Sequence, residues 1–152
     1  MKARIVAIIV AAAFSISRGV EAHIVVEPYD SAAGEVINYT VRIPSHLDAT
    51  TVAVELEIPQ GLEILSIAKT LGGNVMRKAA IGATIVRWVT KIPADERGEV
   101  SFTARNPAVP TELVWKAHQI YDNGVTIDWV EPRGKKQPAS VTRVIEPAGI
   151  GK

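Results

Sequence analysis

Three histidines, His23, His46 and His118, are the whole imidazole supply of a 152-residue chain that has no cysteine. One of its two methionines is the initiator. A metal is therefore offered nitrogen and oxygen only. Thiolate zinc sites, iron–sulfur clusters, disulfides, cysteine nucleophiles and Met-rich copper(I) ligation are excluded together. Of the three histidines, His23 has the most specific chemistry, because of what precedes it. Met1-Lys2-Ala3-Arg4 is a short positive start, and Ile5 to Phe14 is an unbroken apolar run of ten residues. Val20-Glu21-Ala22 then sets compact residues at the positions a signal peptidase reads. Such a run is too short to span a bilayer, which needs about 20 apolar residues. Cleavage after Ala22 makes His23 the first residue of the mature chain. A free N-terminal histidine presents its α-amine and its ring Nδ1 to one ion. The amine has an ordinary pKa near 8, so a divalent metal displaces its proton at neutral pH. Nitrogen donors of this kind suit Cu(II), at the top of the divalent affinity series. The plain alternative is that His23 only marks where the peptidase cuts.

Charge narrows the partners. The precursor is formally +1, and removing Lys2, Arg4, Arg18 and Glu21 leaves a mature chain at −1. Neither value supports a nucleic-acid partner, and Gly134-Lys135-Lys136 is too short for a basic patch. No second apolar stretch and no lipobox cysteine follow the leader, so the expected product has no transmembrane anchor and is periplasmic or secreted. The length suits one domain. We expect a signal peptide over residues 1–22, a domain over 23–147 and a short tail over 148–152.

The elements that must position these histidines read as all-β. In Glu35–Ile43, Ile37, Tyr39, Val41 and Ile43 alternate with Asn38, Thr40 and Arg42. Val52, Val54, Leu56 and Ile58 alternate likewise with Ala53, Glu55 and Glu57, whose acids read as a solvated face. Further β-rich runs are His23–Glu27, Leu62–Ala68, Ala83–Thr90, Glu99–Arg105, Glu112–Tyr121, Val125–Val130 and Ser140–Ile145. Pro, Gly, Asn and Asp clusters separate them, which predicts a β-sandwich. Asn123-Gly124 is the preferred two-residue hairpin turn, and that register sets His118 across from Trp129. His118 is then either a further metal ligand or an imidazole packed on the indole. Trp129, at the end of a hairpin strand, either fills core or lays its π-face over the metal. Trp88 and Trp115 lie inside apolar runs and read as core.

His23-Ile-Val-Val-Glu-Pro28, Ala33-Gly34, Tyr39-Thr40-Val41 and Ile43-Pro44 resemble the opening of the YcnI-like copper-binding domain, an exported bacterial family formerly of unknown function. The likeness continues through Glu57-Ile-Pro-Gln-Gly61, Phe102-Thr-Ala-Arg-Asn-Pro107, Trp115-Lys-Ala-His-Gln119, Tyr121-Asp-Asn-Gly124 and Asp128-Trp129. It implies an immunoglobulin-like β-sandwich that binds Cu(II) through a histidine brace. In that pattern the N-terminal histidine gives amine and ring nitrogens, a carboxylate completes the site and a tryptophan sits against the metal. His23 and Trp129 take the first and last roles.

Two positions depart from the family. Where it carries an acid after Pro-Ser, this chain reads Pro44-Ser45-His46. His46 is either a third nitrogen donor or a solvated loop residue, with Asp48 or Glu27 then supplying oxygen. His118 stands where the family usually shows tyrosine. The resulting expectation is a non-enzymatic protein that acquires, buffers or delivers copper. The family implies other periplasmic copper carriers or a copper-transporting membrane protein as partners. The rival readings are an immunoglobulin-like interaction module without metal and a small copper oxidase or oxygenase. No Gly-x-Ser-x-Gly elbow or P-loop pattern occurs.

Overall fold

The computed structural model describes residues 23–45, 47–68, 75–80 and 82–149. The expected signal peptide, His46, the turn at 72–74 and residues 150–152 lie outside the described residues. Among those described, every regular element is a strand.

One sheet runs in the order β1 (Val25–Glu27), β3 (Val36–Pro44), β8 (Arg97–Arg105), β5 (Glu63–Ile67). A second runs β11 (Thr126–Trp129), β10 (Ala117–Tyr121), β4 (Thr51–Ile58), β7 (Ala83–Ile92), β6 (Val75–Ala80). A small third sheet, β2 (Asp30–Ala32), β12 (Ser140–Ile145), β9 (Thr111–Trp115), joins the two ends of the domain. Its β2–β12 pair is parallel, and the Val26 amide donates to Ser140 Oγ at 3.0 Å, tying β1 to β12 as well.

The alternation in β3 places Tyr39, Val41 and Ile43 in the core. They meet Val100 and Phe102 of β8, Val54 and Leu56 of β4, and Trp88 of β7. Trp115 packs at 5.1 Å from the Tyr39 ring and 5.7 Å from Phe102, so both expected core tryptophans are buried. Tyr39 reaches a polar partner from within this core, donating to Asn106 Oδ1 at 2.6 Å.

Four sequence expectations need correction. Val52 does not share a face with Val54, because the register of β4 against β10 shifts between Ala53 and Thr51. Against β10, where Ile120 faces Ala53 and Tyr121 faces Thr51, Val52 is the extra residue of a bulge, and Thr51 and Ala53 are buried beside it. The run Glu112–Tyr121 is not one strand. It breaks at Lys116, with β9 in the small sheet and β10 in the five-stranded one. Strands β2 and β6 were not anticipated, being respectively short and rich in Lys, Arg and Ala. Finally, the β10–β11 hairpin is one residue off the expected register: Ala117 faces Trp129 and His118 faces Asp128.

The turn explains the last shift. The Tyr121 amide donates to the Val125 carbonyl and the Gly124 amide to the Tyr121 carbonyl. Residues 122–124 therefore form a three-residue loop closed by Gly124 at φ +83°. A type I′ turn would need positive φ at Asn123 too, and Asp95 is the one described non-glycine residue with it. Asn123 instead spends its side chain on the turn, accepting the Val125 amide at 3.0 Å.

Candidate metal centre

His23 sits just before β1, at the end of the sandwich where β3 meets β8. Strand β1 pairs with β3 so that Val25 faces Arg42, which brings the chain entering β1 alongside Pro44. A cavity of about 60 Å³ lies there, lined by His23, Arg42, Ile43, Pro44, Arg97, Gly98 and Glu99. That is room for about two water-sized groups. Across the sandwich, β11 ends at Trp129, which is buried. The His23 and Trp129 rings lie 5.5 Å apart between centroids at 59°. Two residues separated by more than a hundred positions, singled out separately in the sequence, are thus brought together.

The indole is held from the core side. Its Nε1–H donates to Gln119 Oε1 at 3.1 Å, and Gln119 is itself fully buried on the inward face of β10. Gln119 donates in turn to the Pro44 carbonyl and to Thr51 Oγ1, each at 2.8 Å. Pro44 also lines the His23 cavity.

Carboxylates near His23 are engaged by arginine. Glu27 accepts from Arg42 Nε at 2.9 Å, and Glu99 accepts from Arg42 Nη1. Asp48 is exposed. Glu99, which sequence reasoning passed over, is the acid that lines the cavity with His23. Only the β3–β8 register, Arg42 opposite Glu99, makes it visible. Among the described residues no group of three or more His, Cys, Asp or Glu side chains is arranged to hold a metal ion.

His118 is not part of this arrangement. The one-residue register change turns its ring to the outer face of the five-stranded sheet, away from Trp129. There Nδ1 lies 2.6 Å from Asp128 and Nε2 lies 3.0 Å from Glu57. The row continues through Glu55, which accepts from Arg87 at 2.5 Å. Partial burial pulls the His118 pKa down, but hydrogen bonds and charge from Asp128 and Glu57 outweigh it and leave the pKa raised. Its ionic contribution is therefore complete below the unfolded value near 6.5 and fades as pH rises through the higher folded value. His118→Gln is expected to cost about 1 kcal/mol at pH 6 and clearly less at pH 9 by urea unfolding. Equal losses at both pH values would contradict an ionic role.

The described residues thus bring an imidazole, a small cavity beside it and a buried indole together at one end of the sandwich. The copper-binding protein CutI of Bacillus subtilis (strain 168) is 28% identical over 127 residues, covering 81% of this chain and 62% of that protein. The chain thus spans less than two thirds of that curated relative's length. Among solved structures, an uncharacterized protein from Nocardia farcinica with an immunoglobulin-like fold superposes with a TM-score of 0.67 at 15% identity. The superposition covers 80% of this chain and 97% of that one. A cohesin module from a Clostridium perfringens ATCC13124 family 33 glycoside hydrolase gives 0.56 at 12% identity, covering 80% and 93%. These two likenesses establish the immunoglobulin-like sandwich. Residues 23–148 match the family described as "Domain of unknown function (DUF1775)", and the chain belongs to that family, to which its YcnI-like sequence pattern had pointed.

Proposed function

We propose that this chain is an exported Cu(II)-binding protein that acquires, buffers or hands on copper outside the cytoplasm. The site is a histidine brace at the mature N-terminus. The His23 amine and Nδ1 are two donors, His46 is the third, and Trp129 closes the site on one side. His118 is left out of the ligand set, with both ring nitrogens turned to carboxylates. The observation that carries this reading is the 5.5 Å approach of the His23 and Trp129 rings. Support comes from the relation to a copper-binding protein and from a family match whose first residue is His23. The cavity beside His23 suits an ion with one small co-ligand, and Arg42 keeps both Glu27 and Glu99 occupied. The role is binding rather than catalysis, as the relative's description supports.

A chain beginning at His23 retains all twelve strands found among the described residues. Titrating it with Cu(II) is expected to quench tryptophan emission and saturate at one equivalent, because Trp129 abuts His23 while Trp88 and Trp115 are in the core. Trp129→Phe should remove most of the quenching without removing the binding, and His46→Ala should weaken binding. Absence of stoichiometric binding by the intact mature chain would overturn the proposal.

A further inference from the structure

We infer that Gln119 is a positioning residue that sets both walls of the His23 site from the core, fixing the Trp129 indole and the Pro44–Ser45 segment relative to each other. The inference rests on reading His23 and Trp129 as the copper site.

Valence fixes the orientation of the Gln119 amide. The indole Nε1–H can only donate, so the Gln119 carboxamide must turn its oxygen toward Trp129. The Pro44 carbonyl can only accept, so the amide nitrogen must face it. Both demands give one orientation of the amide group, and that orientation leaves its second N–H for Thr51 Oγ1. The relay then continues with every proton directed the same way. Thr51 Oγ1 donates to Ser45 Oγ at 3.3 Å, and Ser45 Oγ donates to the Ala49 carbonyl at 3.2 Å. That last bond joins the two ends of segment 45–49. One buried side chain is therefore bonded to the tryptophan beside His23 and to the proline that lines the His23 cavity.

Packing alone does not ask for this. Ala117, two residues before it on β10, is buried in the apolar core. An apolar group of similar shape could replace a satisfied buried amide at modest net cost, provided its partners were replaced too. What an apolar group cannot do is fix the rotation of the indole or the height of the Pro44 carbonyl.

The test separates the link from the copper reading. Hydrogen exchange of the three indole N–H groups is followed by NMR in the copper-free chain beginning at His23. The Trp129 signal is expected to be protected in the unaltered chain. In Gln119→Met it should lose at least about tenfold of that protection, while the Trp115 signal, bonded to Thr142 Oγ1, stays as it was. Cu(II) affinity should fall about 10- to 100-fold, the range for groups that orient metal ligands, with altered tryptophan quenching. A Trp129 indole that exchanges like an exposed one in the unaltered chain would overturn the inference, whether or not the variant folds. So would a folded Gln119→Met that keeps both the protection and the affinity. Failure of the unaltered chain to bind Cu(II), with the exchange pattern intact, would overturn the copper reading and leave the link standing.

Discussion

A chain carrying one extra residue ahead of His23 is expected to bind Cu(II) at least about 100-fold more weakly than the chain that begins at His23, a loss of about 2.7 kcal/mol. The extra residue converts the His23 amine into an amide. In an amide the nitrogen lone pair is delocalised into the carbonyl, so it is a much weaker donor than an amine. The chelate ring with Nδ1 is then lost, although the imidazole, Trp129 and the cavity are unchanged. Competition against a chelator of known affinity measures the difference. Equal affinity in the two chains would remove the brace and return His23 to a ring-only ligand. On this reading the uncleaved precursor cannot hold copper at this site, so competence follows processing.

The largest effect on stability belongs to Trp115. Its ring lies against Tyr39 and Phe102, and its Nε1 donates at 3.0 Å to Thr142 Oγ1, which itself donates to the Pro28 carbonyl. Trp115→Ala is expected to cost about 4 kcal/mol, the cost of an emptied aromatic site in a packed core. In a domain of this size the melting temperature should fall by roughly 10–20 °C. Trp115→Phe keeps most of the packing and drops the Thr142 bond, for about 1–2 kcal/mol. Urea unfolding of the two variants checks both figures. A loss below about 1 kcal/mol for the alanine would contradict its place in the core.

Alternation made the core strand β3 readable residue by residue, because a pleated strand sends every second side chain inward. It misled in β4, where the bulge at Val52 switches the parity. It was silent for β6, which carries no alternating apolar set. The candidate site shows the same division. The sequence singles out His23 as the residue expected after cleavage and Trp129 from its place on a short strand, and the fold brings the two rings to 5.5 Å. The His118 expectation failed on a single residue of register. Asn-Gly has two common uses in hairpins, and only Gly124 takes the positive φ here. That shift also hid Gln119, since it places 117 and 119, not 118, on the face of Trp129. Glu99 was hidden for another reason: its nearness to His23 exists only through the long-range pairing of β3 with β8.

The small sheet that joins β2 to β12 has a consequence in time. The bond from Val26 to Ser140 spans 114 positions, and Trp129 reaches His23 across a similar distance along the chain. Contacts of such sequence separation close late, and sandwiches dominated by them fold on the order of milliseconds to seconds. A chain emerging N-terminus first presents His23 at the outset and its neighbours almost at the end. Until β11 and β12 arrive, the histidine stands alone on an unfinished edge. On the proposed reading, completion of the chain, and not cleavage ahead of His23 alone, therefore sets when the site can exist.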